Sequence, residues 1–159
     1  MTTVQKLRDF LEPELRRRCY PLSQEAFRAA TTFAEDKDQG AELLDAIDDH
    51  QLRQVQENAS IFAMLMRERK DADAAALGTR LQNTCFDISG RRYQEIMAQR
   101  RRRSAESVAA GKRPLCLMCL RPLQPIGRAR SNGRDHDDWD SRELHKKCWK
   151  VKEETGRMF

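Results

Sequence analysis

A chain of 159 residues has room for one ordinary domain, or for a domain of about a hundred residues with a small appended module, and excludes a three-domain architecture. Charged residues make up 35% and hydrophobic residues 39%, polar for a globular protein, yet apolar positions recur at helical spacing, which excludes full disorder. The charge is lopsided: residues 1–90 hold 12 Lys and Arg against 16 Asp and Glu, a net −4, whereas residues 91–159 hold 18 against 9, a net +9.

The opening run MTTVQKLRDFLEPELRRR lacks the apolar block and cleavage site of a secretory signal, and no stretch of about eighteen apolar residues occurs. The expected setting is the nucleus, the cytoplasm or both, not secretion, and without a membrane. Thr3 caps a first helix carrying Val4, Leu7, Phe10, Leu11 and Leu15 on one side, with Pro13 either kinking it or opening a second helix. Tyr20-Pro21 reads as a break, and Ser23 caps a helix whose apolar face is Ala26, Phe27, Ala30, Phe33 and Ala34. Asp36 to Gly40 reads as a turn.

From Ala41 the pattern predicts one helical stretch to about Lys70, with Leu43, Leu44 and Ile47, then Leu52, Val55, Ala59, Phe62 and Met66 at alternating spacings of three and four. That seam is short for a coiled coil and is expected to pack inside a bundle rather than to pair two copies. Asp71 or Asp73 caps a helix through Ala76, Leu77 and Leu81, and Phe86-Asp87-Ile88-Ser89-Gly90 reads as a connection. A last helix from near Arg91 places Tyr93, Ile96 and Met97 on one face before Arg100-Arg101-Arg102-Arg103, and Ser104 to Gly111 reads as a small-residue linker. The expected organisation is a helical domain over 1–99, used for protein contacts or self-association, an arginine-rich basic linker over 100–113 and a metal module over 114–159.

Cys116 and Cys119 stand two residues apart, the spacing at which a tight turn directs both thiolates at one metal. His145 and Cys148 are three apart and project from one face of a helix's first turn. Sulfur and imidazole together suit zinc, and four protein ligands leave no open position, so the expected cofactor is one structural Zn²⁺. His136 lies in the same interval as an alternative to His145. Three of the five cysteines are thus accounted for, which disfavours a disulfide framework and leaves Cys19 and Cys85 as reduced, partly buried thiols.

Between the two pairs, Arg121-Pro122-Leu123 and Ile126 suit short strands and Ser131-Asn132-Gly133 a turn. Knuckle, hairpin and ligand-bearing helix over about residues 114–155 resemble the treble-clef class of zinc fingers, and His-x-x-Cys before an aromatic resembles the first half-site of LIM modules. A LIM module needs a second set of four ligands, which this chain lacks. Joined to the helical periodicity of the first hundred residues, the resemblance gives a mainly α protein: an N-terminal helical bundle followed by a small treble-clef-like module.

The basic excess falls almost wholly between Arg91 and Arg130 and suits a polyanion. The candidate nucleic-acid contacts are Arg91, Arg92, Arg100, Arg101, Arg102, Arg103, Lys112, Arg113, Arg128 and Arg130, extended by Arg121 and Arg134. Tyr93, Trp139 and Trp149 are available for stacking, although the two tryptophans are expected chiefly as finger core. The same arginines, followed by Lys112-Arg113-Pro114, also suit a nuclear-import signal, and Ser104 lies in a context that basophilic kinases accept.

Asp135-His136 invites comparison with HNH endonucleases, but the pair stands close before the last cysteine and the expected Asn is missing. No Gly-rich phosphate loop or nucleophile elbow occurs, and no catalysis is expected. The sequence reads as a non-enzymatic protein binding RNA or DNA, with an interaction adaptor as the alternative. An arginine run before a solitary finger resembles regulatory or viral accessory proteins.

Overall fold

The computed structural model describes residues 1–12, 20–123 and 142–155, and among them six α-helices carry the fold. These are α1 (Thr3–Leu11), α2 (Gln24–Glu35), α3 (Lys37–Ala46), α4 (Asp49–Glu68), α5 (Ala72–Ala109) and α6 (Lys146–Thr155). The positions expected for Pro13, Leu15 and Cys19 lie outside the described residues. The chain divides into two units, Met1–Arg92 and Tyr93–Phe159, and α5 supplies residues to both. Among the described residues no helix is long and apolar enough to cross a membrane.

Short polar side chains start the helices of the first unit, because each can satisfy an amide left unpaired in the opening turn. Thr2, not Thr3, caps α1, its hydroxyl accepting from the Gln5 amide at 3.1 Å. Ser23 caps α2 as expected, accepting from Ala26 at 3.1 Å. Asp36 accepts from Asp38 and Gln39 at 3.0 Å each and Asp48 from Gln51 at 2.9 Å. Asp71 accepts from Ala74 at 3.2 Å, and its carboxylate also meets Lys6 Nζ.

Three of the expected boundaries are corrected. Asp36–Gly40 is no turn: Asp36 alone separates α2 from α3, and Gly40 lies inside α3. The stretch from Ala41 to Lys70 is two helices, because the Asp48 cap starts α4 afresh after Ile47 closes α3. Phe86–Gly90 is no connection, since α5 runs through it without interruption. Glycine inside a helix costs about 1 kcal/mol, but packing and ion pairs on both sides of Gly90 oppose that cost. Ile88 is buried beside Leu81 and Cys85, while Arg91 pairs with Asp45 at 2.7 Å and Arg92 with Asp49 at 2.5 Å. Arg92 also donates to the carbonyls of Asp45 at 2.6 Å and Ile47 at 2.9 Å, satisfying the orphan end of α3.

The seam of α4, with Leu52, Val55, Ala59, Phe62 and Met66 all buried, packs within the bundle. Facing it, α5 buries Ala74, Leu77, Leu81, Cys85 and Ile88. The two run antiparallel: Gly78 lies against Ala59 and Ala63, and Arg92 reaches Asp49 at the start of α4. Phe10 meets Phe62 with ring centroids 5.3 Å apart. At Gly40 the α2–α3 approach is closer still, for a Cβ there would sit 2.1 Å from the Phe33 Cα. The buried Asn58 accepts from the Tyr20 amide at 2.8 Å and donates to its carbonyl at 2.9 Å, fixing the chain where it enters α2. Cys85 is fully buried rather than partly so, and burial pushes its thiol up to about 12.

α4 ends in a Schellman motif: Lys70 donates to Arg67 and Asp71 to Met66, with Lys70 at φ 58°. The same closure ends α5, where Gly111 at φ 71° donates to Val108 and Lys112 to Ser107. The run expected as a basic linker is therefore helical through Ala109.

Candidate metal centre

Among its described residues the second unit buries Met97, Cys116, Leu117, Leu123 and Leu144, with Tyr93, Met118 and Cys148 packed against them. Beyond Lys112 the chain turns back into an isolated antiparallel bridge between Leu115 and Pro122, around the knuckle that carries Cys116 and Cys119. Three backbone bonds hold the turn: Cys116 donates to Arg121 at 2.9 Å, Leu120 to Cys116 at 2.8 Å and Leu123 to Pro114 at 2.8 Å. Leu120 takes φ 56°, the left-handed geometry such a tight return requires. A further bond, from Leu117 to the Glu143 carbonyl at 2.9 Å, brings the distant segment before α6 onto the knuckle.

That bond places His145, immediately before α6, and Cys148, in its first turn, beside the knuckle. One ligand atom from each of Cys116, Cys119, His145 and Cys148 lies within 4.8 Å of every other, so the four together can hold a metal ion. His145 Nδ1 is 3.3 Å from Cys119 Sγ and 3.9 Å from Cys148 Sγ. For a tetrahedral ion with bonds of about 2.3 Å to sulfur and about 2.0 Å to nitrogen, the S···N edge is about 3.5 Å. The observed spacings bracket that value. The other imidazole nitrogen, Nε2, donates to the Pro122 carbonyl at 3.1 Å, leaving the Nδ1 lone pair turned toward the sulfurs. The cluster thus assembles with His145; His136 lies outside the described residues.

The thiols differ in ionisation. Burial pushes the Cys116 thiol up, but the amides of Cys119, His145 and Met118, with the Cys119 thiol, stabilise the thiolate more and bring it down to about 7. The His145 amide lies 3.5 Å from Cys116 Sγ. Cys148 is pushed up to about 12, first by burial and then by hydrogen bonds and repulsion from Cys116 and Cys119. Three sulfurs this close oppose one another's ionisation, and a cation among them removes that opposition. The donor set and its charge therefore fit a metal ion.

Helix α5 backs the knuckle. Arg100 Nη1 donates to the carbonyls of Leu117 at 2.7 Å and Met118 at 2.6 Å. Arg101 meets both carboxylate oxygens of Glu143, at 2.8 and 3.3 Å, and this pair lowers Glu143 below its ordinary range. Ser104 Oγ accepts from the Leu115 amide at 2.8 Å, and Ser107 Oγ donates to the Arg113 carbonyl at 2.7 Å. Glu143, Ser104 and Pro122 were not legible as site residues, because nothing in their spacing points to partners so distant in sequence.

The expected nucleic-acid contacts are accordingly divided. Arg91 and Arg92 are engaged with α3 and α4, and Arg100 and Arg101 with the knuckle segments. Arg102, Arg103 and Lys112 are exposed and take part in no ion pair among the described residues, and Arg113 and Arg121 are exposed as well. Arg128, Arg130 and Arg134, with Trp139 and the turn at Ser131–Gly133, lie outside the described residues. Trp149 is corrected: it is half exposed rather than finger core, with Lys152 Nζ 5.3 Å from its ring centroid. His50, near Asp48 and Asp49, is an exposed residue of α4. In comparison with known proteins, the chain matches no family model, no curated protein and no solved structure, so the four converging ligands are the firmest pointer to its function.

Proposed function

We propose that this is a non-enzymatic zinc-finger protein that binds nucleic acid, RNA or DNA, through the basic surface of its second unit. The observation that carries the proposal is the Cys116, Cys119, His145 and Cys148 cluster, with an arginine-bearing helix seated on the same knuckle. Three thiolates and an imidazole suit Zn²⁺ better than the hard, oxygen-preferring cations. Four protein ligands make the ion structural, in a finger of treble-clef type. With Arg100 engaged by the Leu117 and Met118 carbonyls and Arg101 by Glu143, the phosphate contacts fall to Arg102, Arg103, Lys112, Arg113 and Arg121, joined by Arg128 and Arg130.

Zinc analysis of the purified chain, together with titration of single- and double-stranded oligonucleotides over a salt series, tests this. One equivalent of zinc is expected. Changing Arg102, Arg103 and Lys112 to Ser should flatten the plot of log affinity against log salt by about 2 on single strands, at about 0.7 per phosphate contact. Absence of zinc, or binding unaffected by those changes, would overturn the reading.

The engagement of Arg91, Arg92, Arg100 and Arg101 within the fold favours a second reading, an adaptor whose first unit contacts proteins and whose remaining basic residues serve nuclear import. It predicts no salt-dependent nucleic-acid binding at all.

A further inference from the structure

The contacts of Arg100, Arg101 and Ser104 share one property. Arg100 donates to Leu117 and Met118, the two residues between Cys116 and Cys119; Arg101 pairs with Glu143, two before His145; Ser104 bonds Leu115, one before Cys116. These partners of α5 lie within two residues of a ligand, and Ser107, donating to the Arg113 carbonyl three before Cys116, extends the row. Among the described residues the buried apolar support is Met97, Cys116, Leu117, Leu123 and Leu144, one of them itself a ligand, with Tyr93, Met118 and Cys148 packed against it. So small a core does not hold a knuckle without a metal or an equivalent staple.

We propose that the metal centre gates the arginine run: with the ion bound, Arg100 and Arg101 are withheld from polyanions, and its loss releases both to act beside Arg102 and Arg103. The inference rests on the nucleic-acid reading and gives it a regulation. Convergence of the four ligands fixes the Leu117 and Met118 carbonyls side by side, where one guanidinium nitrogen reaches both. The same convergence pins Glu143 to the knuckle through the Leu117–Glu143 bond, where its carboxylate neutralises Arg101. Without the ion these partners scatter. Four consecutive arginines, spread at about 100° intervals around the helix, then become available to phosphates. The direction opposes that of a finger whose metal-organised surface makes the contacts, where stripping the metal weakens binding.

The test uses the full chain, loaded with one equivalent of zinc or stripped with a chelator under reductant and freed of the chelator. Affinity for oligo-dT and for heparin is measured across a salt series. For oligo-dT the slope should steepen by about 1.4 on stripping, two added contacts at about 0.7 each. The double variant Arg100→Gln, Arg101→Gln should lose that gain. If this variant fails to load zinc, the stripped wild type and the stripped variant are compared alone, and equal slopes overturn the gate. Binding by the loaded chain with no steepening on stripping also overturns the gate and leaves the nucleic-acid reading standing. Binding by the stripped chain alone supports the gate and sinks the nucleic-acid reading of the loaded protein; no binding by either form sinks both.

Discussion

At the scale of residues, two non-glycine positions among the described residues hold left-handed backbone: Lys70 at φ 58° and Leu120 at φ 56°. Each closes a turn in which carbonyl and amide orientations matter more than the side chain. A left-handed L-residue costs about 1–2 kcal/mol, and glycine gives part of that back through the freedom it has in the unfolded chain. Lys70→Gly is therefore expected to raise stability by about 0.5–1 kcal/mol, read as a higher urea midpoint with an unchanged slope. A lower midpoint would show that the Lys70 side chain contributes more than its backbone strain removes.

The four ligands were legible at this scale because cysteine and histidine spacing encodes convergence on an ion. The turn of His145 toward the sulfurs was not, since it depends on a carbonyl at Pro122. The pairing of Arg101 with Glu143 spans 42 positions, and a run of identical arginines gives no sign of which face will be covered.

At the scale of elements, cap chemistry was readable at Ser23, and at Asp71 as one of two candidates with Asp73, where a short polar residue precedes an apolar period. It failed at Asp36–Gly40, where aspartate and glycine together imitate a turn. The glycine there serves helix packing, for any side chain would enter the Phe33 backbone. Gly40→Ala must push α3 off α2 and is expected to cost about 3 kcal/mol or more, as overpacking against an unyielding neighbour does. Chemical denaturation measures this, and a loss under about 1 kcal/mol would mean that the two helices separate easily. α5 exceeded its reading for a related reason. Burial of Ile88 and the ion pairs of Arg91 and Arg92 outweigh the local signal of Gly90, and no window of sequence contains those partners.

At the scale of the whole molecule, the two units rest on different terms. The first buries an extended apolar cluster from α1 to α5, while the described residues of the second bury Met97, Leu117, Leu123 and Leu144 beside four converging ligands. A structural zinc contributes roughly 10 kcal/mol or more to the folding of such modules. Chelation is therefore expected to abolish amide protection in α6 and around the Cys116–Cys119 knuckle while leaving α2 and α4 protected. Hydrogen exchange resolved by segment checks this. Uniform loss of protection would show one cooperative structure, and unchanged protection in α6 would show that no ion organises it.

The burial of Cys85 has a chemical consequence for any thiol chemistry performed on the native protein. Attack on an alkylating reagent requires the thiolate, and a sulfur that is fully enclosed and pushed up to about 12 supplies almost none near neutral pH. Cys85 therefore stays dark while the bundle is folded, and it becomes labelled only when the helices part. The rate at which it reacts is a clock for the opening of α4 against α5, ticking separately from whatever happens at the other sulfurs.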